Sequence, residues 1–372
     1  MAQQGAAQKS FEIYGFAQGD FVQDFDRVHP AWDDTLRPSR IPTTEGQYGG
    51  DGQAIISARQ SRFGVRGNVP MGDKTLRTQF EFDLYGVGVD EGKTTLRARH
   101  VYGAWGNWLV GQTHSVFMDI DVFPNVVDYW GPPGMVFLRN PQVRWTPSER
   151  LAVAIEKPSN DIDVGQFSKV DPALASFQAD EEIPDLTAHY RVTGDWGHLQ
   201  VAGILRHVGV ENIANPANII EHHDTGWGID VTSSIKVGER DKILLGIVYG
   251  DGIASYMNDG GVDMAPSTAV PATAEAQAVP LLGITAYFDH YWSAAWSSSI
   301  GYSSTEVDNL DGQAANAFDK GEYFSANLLH TPAENVLVGA ELLWGQRTDF
   351  NGAVGRDTRI QFTFKYNFGA QL

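Results

Sequence analysis

The stretch Arg359–Phe368, R-I-Q-F-T-F-K-Y-N-F, alternates without a break. Ile360, Phe362, Phe364, Tyr366 and Phe368 fall on one side; Arg359, Gln361, Thr363, Lys365 and Asn367 fall on the other. A β-strand separates the two sets because successive side chains point to opposite faces, whereas a helix would mix them. Thr75–Tyr85, Trp227–Val237 and Val336–Trp344 repeat the pattern, and long runs of period 3.6 are scarce. Asp51-Gly52, Asp251-Gly252, Asp311-Gly312 and Asn351-Gly352 punctuate the alternation as turn dipeptides. The chain reads as all-β.

Working outward, the connections alternate in length. Short turns fall at Pro70–Asp73, Gly106-Asn107, Pro147–Glu149, Gly194–Gly197, Gly238–Asp241, Asp289–Tyr291 and Thr331–Asn335. Long ones lie between them, near 25–51, 87–93, 115–140, 158–185, 208–224, 250–280, 304–320 and 348–356. Such a series separates about sixteen strands, with short turns at one end and long loops at the other. The expected fold is a 16-stranded antiparallel up-and-down β-barrel over residues 11–368. Residues 1–10 are expected as a flexible amino-terminal segment and 369–372 as a tail.

Barrel size decides which face is wet. About eight strands fill with side chains; about sixteen leave an open lumen. A lumen lined with Phe, Ile and Leu would be unstable in water, so the apolar face looks outward into lipid and the polar face inward. Trp105, Trp108, Trp196, Trp227, Tyr291, Trp292, Trp344 and Phe368 gather near strand ends, as an interfacial girdle requires. The expectation is an integral transmembrane barrel.

Composition excludes other classes. The 372 residues include no cysteine, so disulfide scaffolds and thiolate metal sites are ruled out. The 46 acidic against 27 basic residues give a net charge of −19, which argues against nucleic acid as a partner. No apolar stretch is long enough for a transmembrane helix. Met1–Ser10 lacks a charged segment followed by an apolar one, which fits either a cytoplasmic protein or the mature form of an exported one; with the transmembrane barrel, the expectation is a mature form without signal peptide. No G-x-S-x-G, H-E-x-x-H, P-loop or G-x-G-x-x-G motif is present, so no enzyme and no cofactor are expected. His222-His223-Asp224 lies in a long loop and reads as solvated.

Charge is unevenly placed. Loops 158–185, 208–224, 251–280 and 306–319 carry 18 acidic residues and one basic residue, Lys169, and read as solvated outer loops. The expected lumen face instead holds Arg62, Arg66, Arg77, Arg97, Arg99, Arg144, Arg191, Arg206, Lys236, Arg359 and Lys365. Strand direction places Arg62, Arg97, Arg99 and Arg144 at one level, as a ladder that selects anions. Arg59 is out of phase with Arg62 and requires a bulge or the rim. The competing reading is that these arginines offset lumenal carboxylates such as Glu81, Asp83 and Glu156.

The loop at 116–140 is unusually apolar for an outward connection: V-F-M-D-I-D-V-F-P-N-V-V-D-Y-W-G-P-P-G-M-V-F-L-R-N. It is expected to fold into the lumen as a constriction, with Asp119, Asp121, Tyr129, Trp130 and Arg139 facing the pore.

Three pieces carry a family resemblance: A-R-Q-S-R-F-G-V at Ala58–Val65, F-M-D-I-D-V-F-P-N at Phe117–Asn125, and Y-W-G-P-P-G-M-V-F-L-R-N-P at Tyr129–Pro141, running into Q-V-R-W-T-P. The chain resembles the trimeric Gram-negative outer-membrane porins, more narrowly the DcaP-like porins associated with dicarboxylate uptake. That resemblance implies passive diffusion of small dicarboxylic or aromatic acids through a homotrimer set among outer-membrane lipid and lipopolysaccharide. By motif it implies pore roles for Arg59, Arg62, Asp119, Asp121, Trp130, Arg139 and Arg144. A general or cation-selective porin, a plugged structural barrel and a barrel enzyme are the alternatives.

Overall fold

The computed structural model describes residues 9–86, 95–164, 177–212, 220–270 and 275–372. Expectations for residues 1–8, for the loop near 87–93 and for the middle of the long loops at 158–185 and 208–224 fall outside the described residues.

Sixteen antiparallel strands close a barrel. In chain order they are β1 (Ser10–Asp24), β2 (Gln53–Ser57 continuing as Arg62–Met71), β3 (Lys74–Asp83), β4 (Arg97–Trp105), β5 (Trp108–His114), β6 (Arg139–Ser148), β7 (Leu151–Glu156) and β8 (Phe177–Asp180 continuing as Asp185–Gly194). Then follow β9 (Gly197–Asn212), β10 (Ile220–Val237), β11 (Asp241–Asp251), β12 (Pro280–His290), β13 (Trp296–Val307), β14 (Phe318–Ala333), β15 (Val336–Asp349) and β16 (Val354–Gln371). Each strand pairs with its sequence neighbours, and β16 closes on β1 from Asp24↔Arg359 to Glu12↔Gln371. Closure matters because an unpaired backbone group in hydrocarbon costs several kcal/mol. Gly369–Gln371, expected as a tail, extend β16 and pair with Tyr14–Glu12. Gly72, Gly106 and Gly238 hold φ of 66°, 58° and 62° at three of the short turns, where a side chain would be strained.

The wall is inverted relative to a soluble barrel. Phe362, Phe364 and Tyr366 are 50%, 55% and 49% exposed on the outside, while Arg359 and Gln361 on the opposite face of the same strand are fully buried inside. Trp105, Trp108, Trp196, Trp292 and Trp296 stand exposed near the short turns, forming the girdle on that side.

The lumen is partly filled. The loop after β5 enters it: Val116, Phe117 and Met118 are buried, and the loop crosses to the far wall. There the Val127 and Asp128 amides donate to the Glu341 carboxylate at 3.1 and 2.9 Å, and Asn327 Nδ2 donates to the Asn125 carbonyl at 2.8 Å. Two further loops, expected as outward connections, also fold in. From 25–51, Val28, Leu36 and Ile41 pack against Tyr323 and Leu343 of β14 and β15. From 250–280, Ile253, Tyr256 and Met257 join Phe117 and Met118 in one apolar core.

That core corrects the expectation of a polar inner face throughout. Ala202, Ile204, Val248, Leu281 and Val307 on β9, β11, β12 and β13 meet the inserted loops rather than water. One side of the lumen is therefore dry, and the wet space is displaced toward β1–β6 and β16. The acidic loops are corrected in the same way. Asp259 bonds to Arg37 and Ser39, and Asp185 and Asp263 are fully buried against Arg206.

Candidate functional site

The wet side holds a chamber of about 920 Å³. Phe16, Arg62, Arg97, Arg99, His100, His114, Arg139 and Lys365 of the wall line it, and Arg37, Arg40, Pro124–Trp130 and Asn258-Asp259 of the loops face them. Among the lining side chains eight are Arg or Lys and five are Asp or Glu. Asp83 and Asp349, both buried, stand behind the lining and pair with Arg97, Arg99 and Arg347.

Strand register assembles the basic wall. Asp83 of β3 lies directly between Arg62 of β2 and Arg97 of β4. One residue further the register slips: Glu81 pairs with His100 and Phe82 with Ala98, leaving Arg99 as the extra residue of a β-bulge. A bulge re-aims the side chains beside it. Arg99 and His100, adjacent in sequence, both turn inward and are buried at 6% and 8% exposure. Arg99 Nε lies 2.8 Å from Glu81 and its Nη1 2.8 Å from Asp83. Arg97 Nη2 lies 2.9 Å from Asp83, and Arg62 Nε 3.5 Å from Glu81. The competing reading of lumenal arginines offset by carboxylates thus describes Arg97, Arg99 and, loosely, Arg62.

Three lining cations differ. Arg40, Arg139 and Lys365 make no ion pair among the described residues. Arg139 packs its guanidinium 4.9 Å from the centre of the Phe137 ring, and its Nε is buried without a hydrogen-bond partner. Lys365 Nζ sits 4.1 Å from the centre of the Phe16 ring. For Arg40 on its loop, burial and then the neighbouring Arg37 pull the guanidinium below its usual range.

The loop side is braced by aromatic stacking. Tyr85 and Tyr129 stack at 3.6 Å, Trp32 meets Trp130 edge-on at 4.8 Å, and Arg37 lies 3.9 Å from the centre of the Trp130 ring. Asp128 binds the two loops together, accepting from Thr35 Oγ1 at 2.8 Å and from the Leu36 and Gly131 amides at 3.1 Å.

The anticipated site residues therefore divide. Arg62, Arg97, Arg99, Arg139, Tyr129 and Trp130 line the chamber. Seven others do not. Arg59, at the break in β2, pairs with Asp34 at 2.9 Å and covers Tyr85. Arg206 is sealed in the wall, bonded to Asp185, Asp263 and the Gly252 and Ser159 carbonyls, and anchors loops. Asp119 is buried between Arg191, His198 and Thr232, and Asp121, exposed, shares Arg191. Arg144 bonds to Gln142 and the His114 carbonyl. Register also removes Arg144 from the expected ladder: it lies level with Leu109, Ala104 and Arg77, five residues from the level of His114 and Arg139. Five strand residues are about 16 Å. Beside the expected Arg139, the chamber is lined by Lys365 of the expected lumen face and by Arg40 and His114, which the sequence reading did not place there.

A closed sixteen-stranded barrel, apolar outside and narrowed by loops folded into a polar lumen, defines an integral outer-membrane protein of the porin class. The chain belongs to the DcaP outer membrane protein family, which matches residues 4–368. No curated protein sequence matches it. Among solved structures it is similar to the outer membrane channel DcaP of Acinetobacter baumannii, at 23% identity over 98% of this chain and 99% of that one, TM-score 0.80. The anion-selective porin from Comamonas acidovorans matches at 9% identity over 97% and 100%, TM-score 0.62. OmpT of Vibrio cholerae in its trimer form matches at 13% identity over 97% and 100%, TM-score 0.55.

Proposed function

We propose that the protein is a passive channel for small anionic solutes, dicarboxylic or aromatic acids, which cross the chamber beside Arg40, Arg139 and Lys365. The observation that carries this is the set of three cations that lack ion-pair partners among the described residues while facing one water-accessible space. Arg139 and Lys365 are half-buried and Arg40 is exposed to the chamber; a partly desolvated cation without a counter-charge is unfavourable, and a carboxylate in the chamber supplies one through charge-assisted hydrogen bonds. Tyr129 and Trp130 give an aromatic acid a surface to lie against. The Comamonas neighbour is described as anion-selective and the Vibrio neighbour has a trimer form, which supports the anion preference and a homotrimer here. Lipid and lipopolysaccharide would surround the apolar band.

The test is liposome swelling with succinate, phthalate, glucose and arginine side by side. Faster entry of the diacids than of glucose, with arginine slowest, is expected. Equal rates for all four would leave a general pore, and fastest arginine entry would make the channel cation-selective.

A further inference from the structure

Two histidines sit inside the basic wall and take no part in the proposal above. His100 and His114, on neighbouring strands, meet edge-to-face with ring centres 4.8 Å apart, and both line the chamber. His100 Nδ1 is held by Thr113 Oγ1 at 2.9 Å, and its Nε2 lies 3.9 Å from Glu81. His114 Nε2 is buried and has no hydrogen-bond partner among the described residues, and neither has Nε of Arg139 directly opposite it in the β5–β6 register. The groups facing the pair are Arg99 on the strand of His100, Glu81 on β3 with Asp83 behind Arg99, Arg62 on β2, Arg139 on β6 and Tyr129 from the inserted loop, while Arg144 of β6 reaches the His114 carbonyl from its own level further along the strand. Two carboxylates, Glu81 and Asp83, thus stand against four guanidinium groups.

We propose that Arg139 and His114 form an oxyanion subsite in the chamber wall, and that occupying it is linked to proton uptake by the His100–His114 pair. This rests on the anion reading of the chamber. Both orphaned nitrogens belong to the same cross-strand pair; with Nε2 protonated, each presents an N–H that an oxyanion admitted between them would accept. A second proton on this wall would face four guanidinium groups with only Glu81 and Asp83 to offset them; a bound anion shifts that balance toward neutrality. Linkage is reciprocal: if the anion favours the proton, the proton favours the anion by the same factor. Of the side-chain types on this wall, imidazole is the one whose unperturbed titration lies nearest neutral pH, so it is the group that an added negative charge can bring to protonation.

The native protein in planar bilayers, with sulfate as the probe, tests this. Sulfate keeps its charge from pH 7.5 to 5.5, so a pH effect on its binding belongs to the protein. Sulfate should reduce single-channel chloride current with a half-blocking concentration that falls at least about fivefold between those two pH values. In His100→Gln/His114→Gln the half-blocking concentration should change less than about twofold over the same interval. A native half-blocking concentration indifferent to pH, or a pH effect preserved in the double variant, would overturn the linkage. Reversal potentials on the same membranes separate the two claims. Cation preference at both pH values sinks the anion reading itself, whereas anion preference with pH-indifferent block sinks only the linkage. If the double variant assembles poorly, His114→Gln alone, keeping the His100–Thr113 bond, gives the same readout.

Discussion

Replacing Arg139 by Gln keeps a polar side chain of similar reach and removes one unpaired positive charge from the chamber. A chamber of 920 Å³, taken as a sphere, has a radius of about 6 Å. A monovalent ion at its centre therefore interacts with the guanidinium by about 0.7 kcal/mol at the dielectric constant of water. Losing that charge raises the energy of an anion and lowers that of a cation by the same amount, so their difference changes by about 1.4 kcal/mol. Screening at ~0.1 M salt, where the Debye length is about 10 Å, roughly halves this. The anion-to-cation permeability ratio should fall between about threefold and tenfold. For a single charge the reversal potential cannot move by more than about 60 mV. The assay is the zero-current potential of the reconstituted channel in a tenfold potassium chloride gradient. Lys365→Gln should act in the same direction, because Lys365 faces the same space without an ion pair. Arg356→Gln removes an equal charge from a position outside the chamber lining and serves as the control. If Arg139→Gln and Lys365→Gln both leave the potential where it stands in the native channel, or shift it no further than Arg356→Gln does, the three unpaired cations do not set selectivity.

Other outcomes follow from the same contacts. Arg206→Met strips the counter-charge from two fully buried carboxylates, a change that typically costs ~3–5 kcal/mol; the temperature at which the barrel loses its compact gel mobility should drop clearly, and an unchanged transition would argue against Arg206 as an anchor. Asp128→Ala removes the acceptor that joins the two inserted loops, at about 1–3 kcal/mol for the donors left unpaired, and should appear as added open-channel noise. Burial raises the Asp119 carboxyl, but the His198 bond, Arg191 and Thr232 outweigh it and hold it below its usual range. A depressed carboxyl stabilises above its unfolded value and loses that contribution only as pH falls through the folded one. The Asp119 tether should therefore survive down to pH 5, and current noise that rises already between pH 7 and 5 in the native channel but not in Asp119→Asn would contradict this. Deleting Arg99 removes the extra residue of the bulge and restores plain alternation on β4; the chamber then loses a cation and the permeability ratio should move toward cations by at least the Arg139→Gln shift, measured in the same gradient.

The loops show where reading the chain stopped short. The apolar content of 116–140 marked that loop for the lumen. The same signal was present in Val28-His29-Pro30-Ala31-Trp32 and in Ile253-Ala254-Ser255-Tyr256-Met257, but acidic residues beside the second masked it. Those acids turned out to be the partners of buried arginines: Asp259 for Arg37 and Asp263 for Arg206. Arg206 and Arg139 look alike on an alternating strand, each an inward arginine. One is sealed under two loops and the other faces water, because the inserted segments cover only one side of the lumen.

Alternation, turn spacing and strand number are local properties of the chain. They were enough to give an inverted sixteen-stranded barrel with a loop inside it, since side-chain direction in a strand depends only on position along it. What needed the tertiary structure was which inward groups meet. Asp83 standing between Arg62 and Arg97, the slip that turns both Arg99 and His100 inward, and the lack of an ion pair for Arg40, Arg139 and Lys365 among the described residues all depend on the register between strands and on where three loops come to rest. Register and loop placement are settled by contacts between residues distant in sequence, and electrostatic pairing follows from them rather than from any one strand's own order.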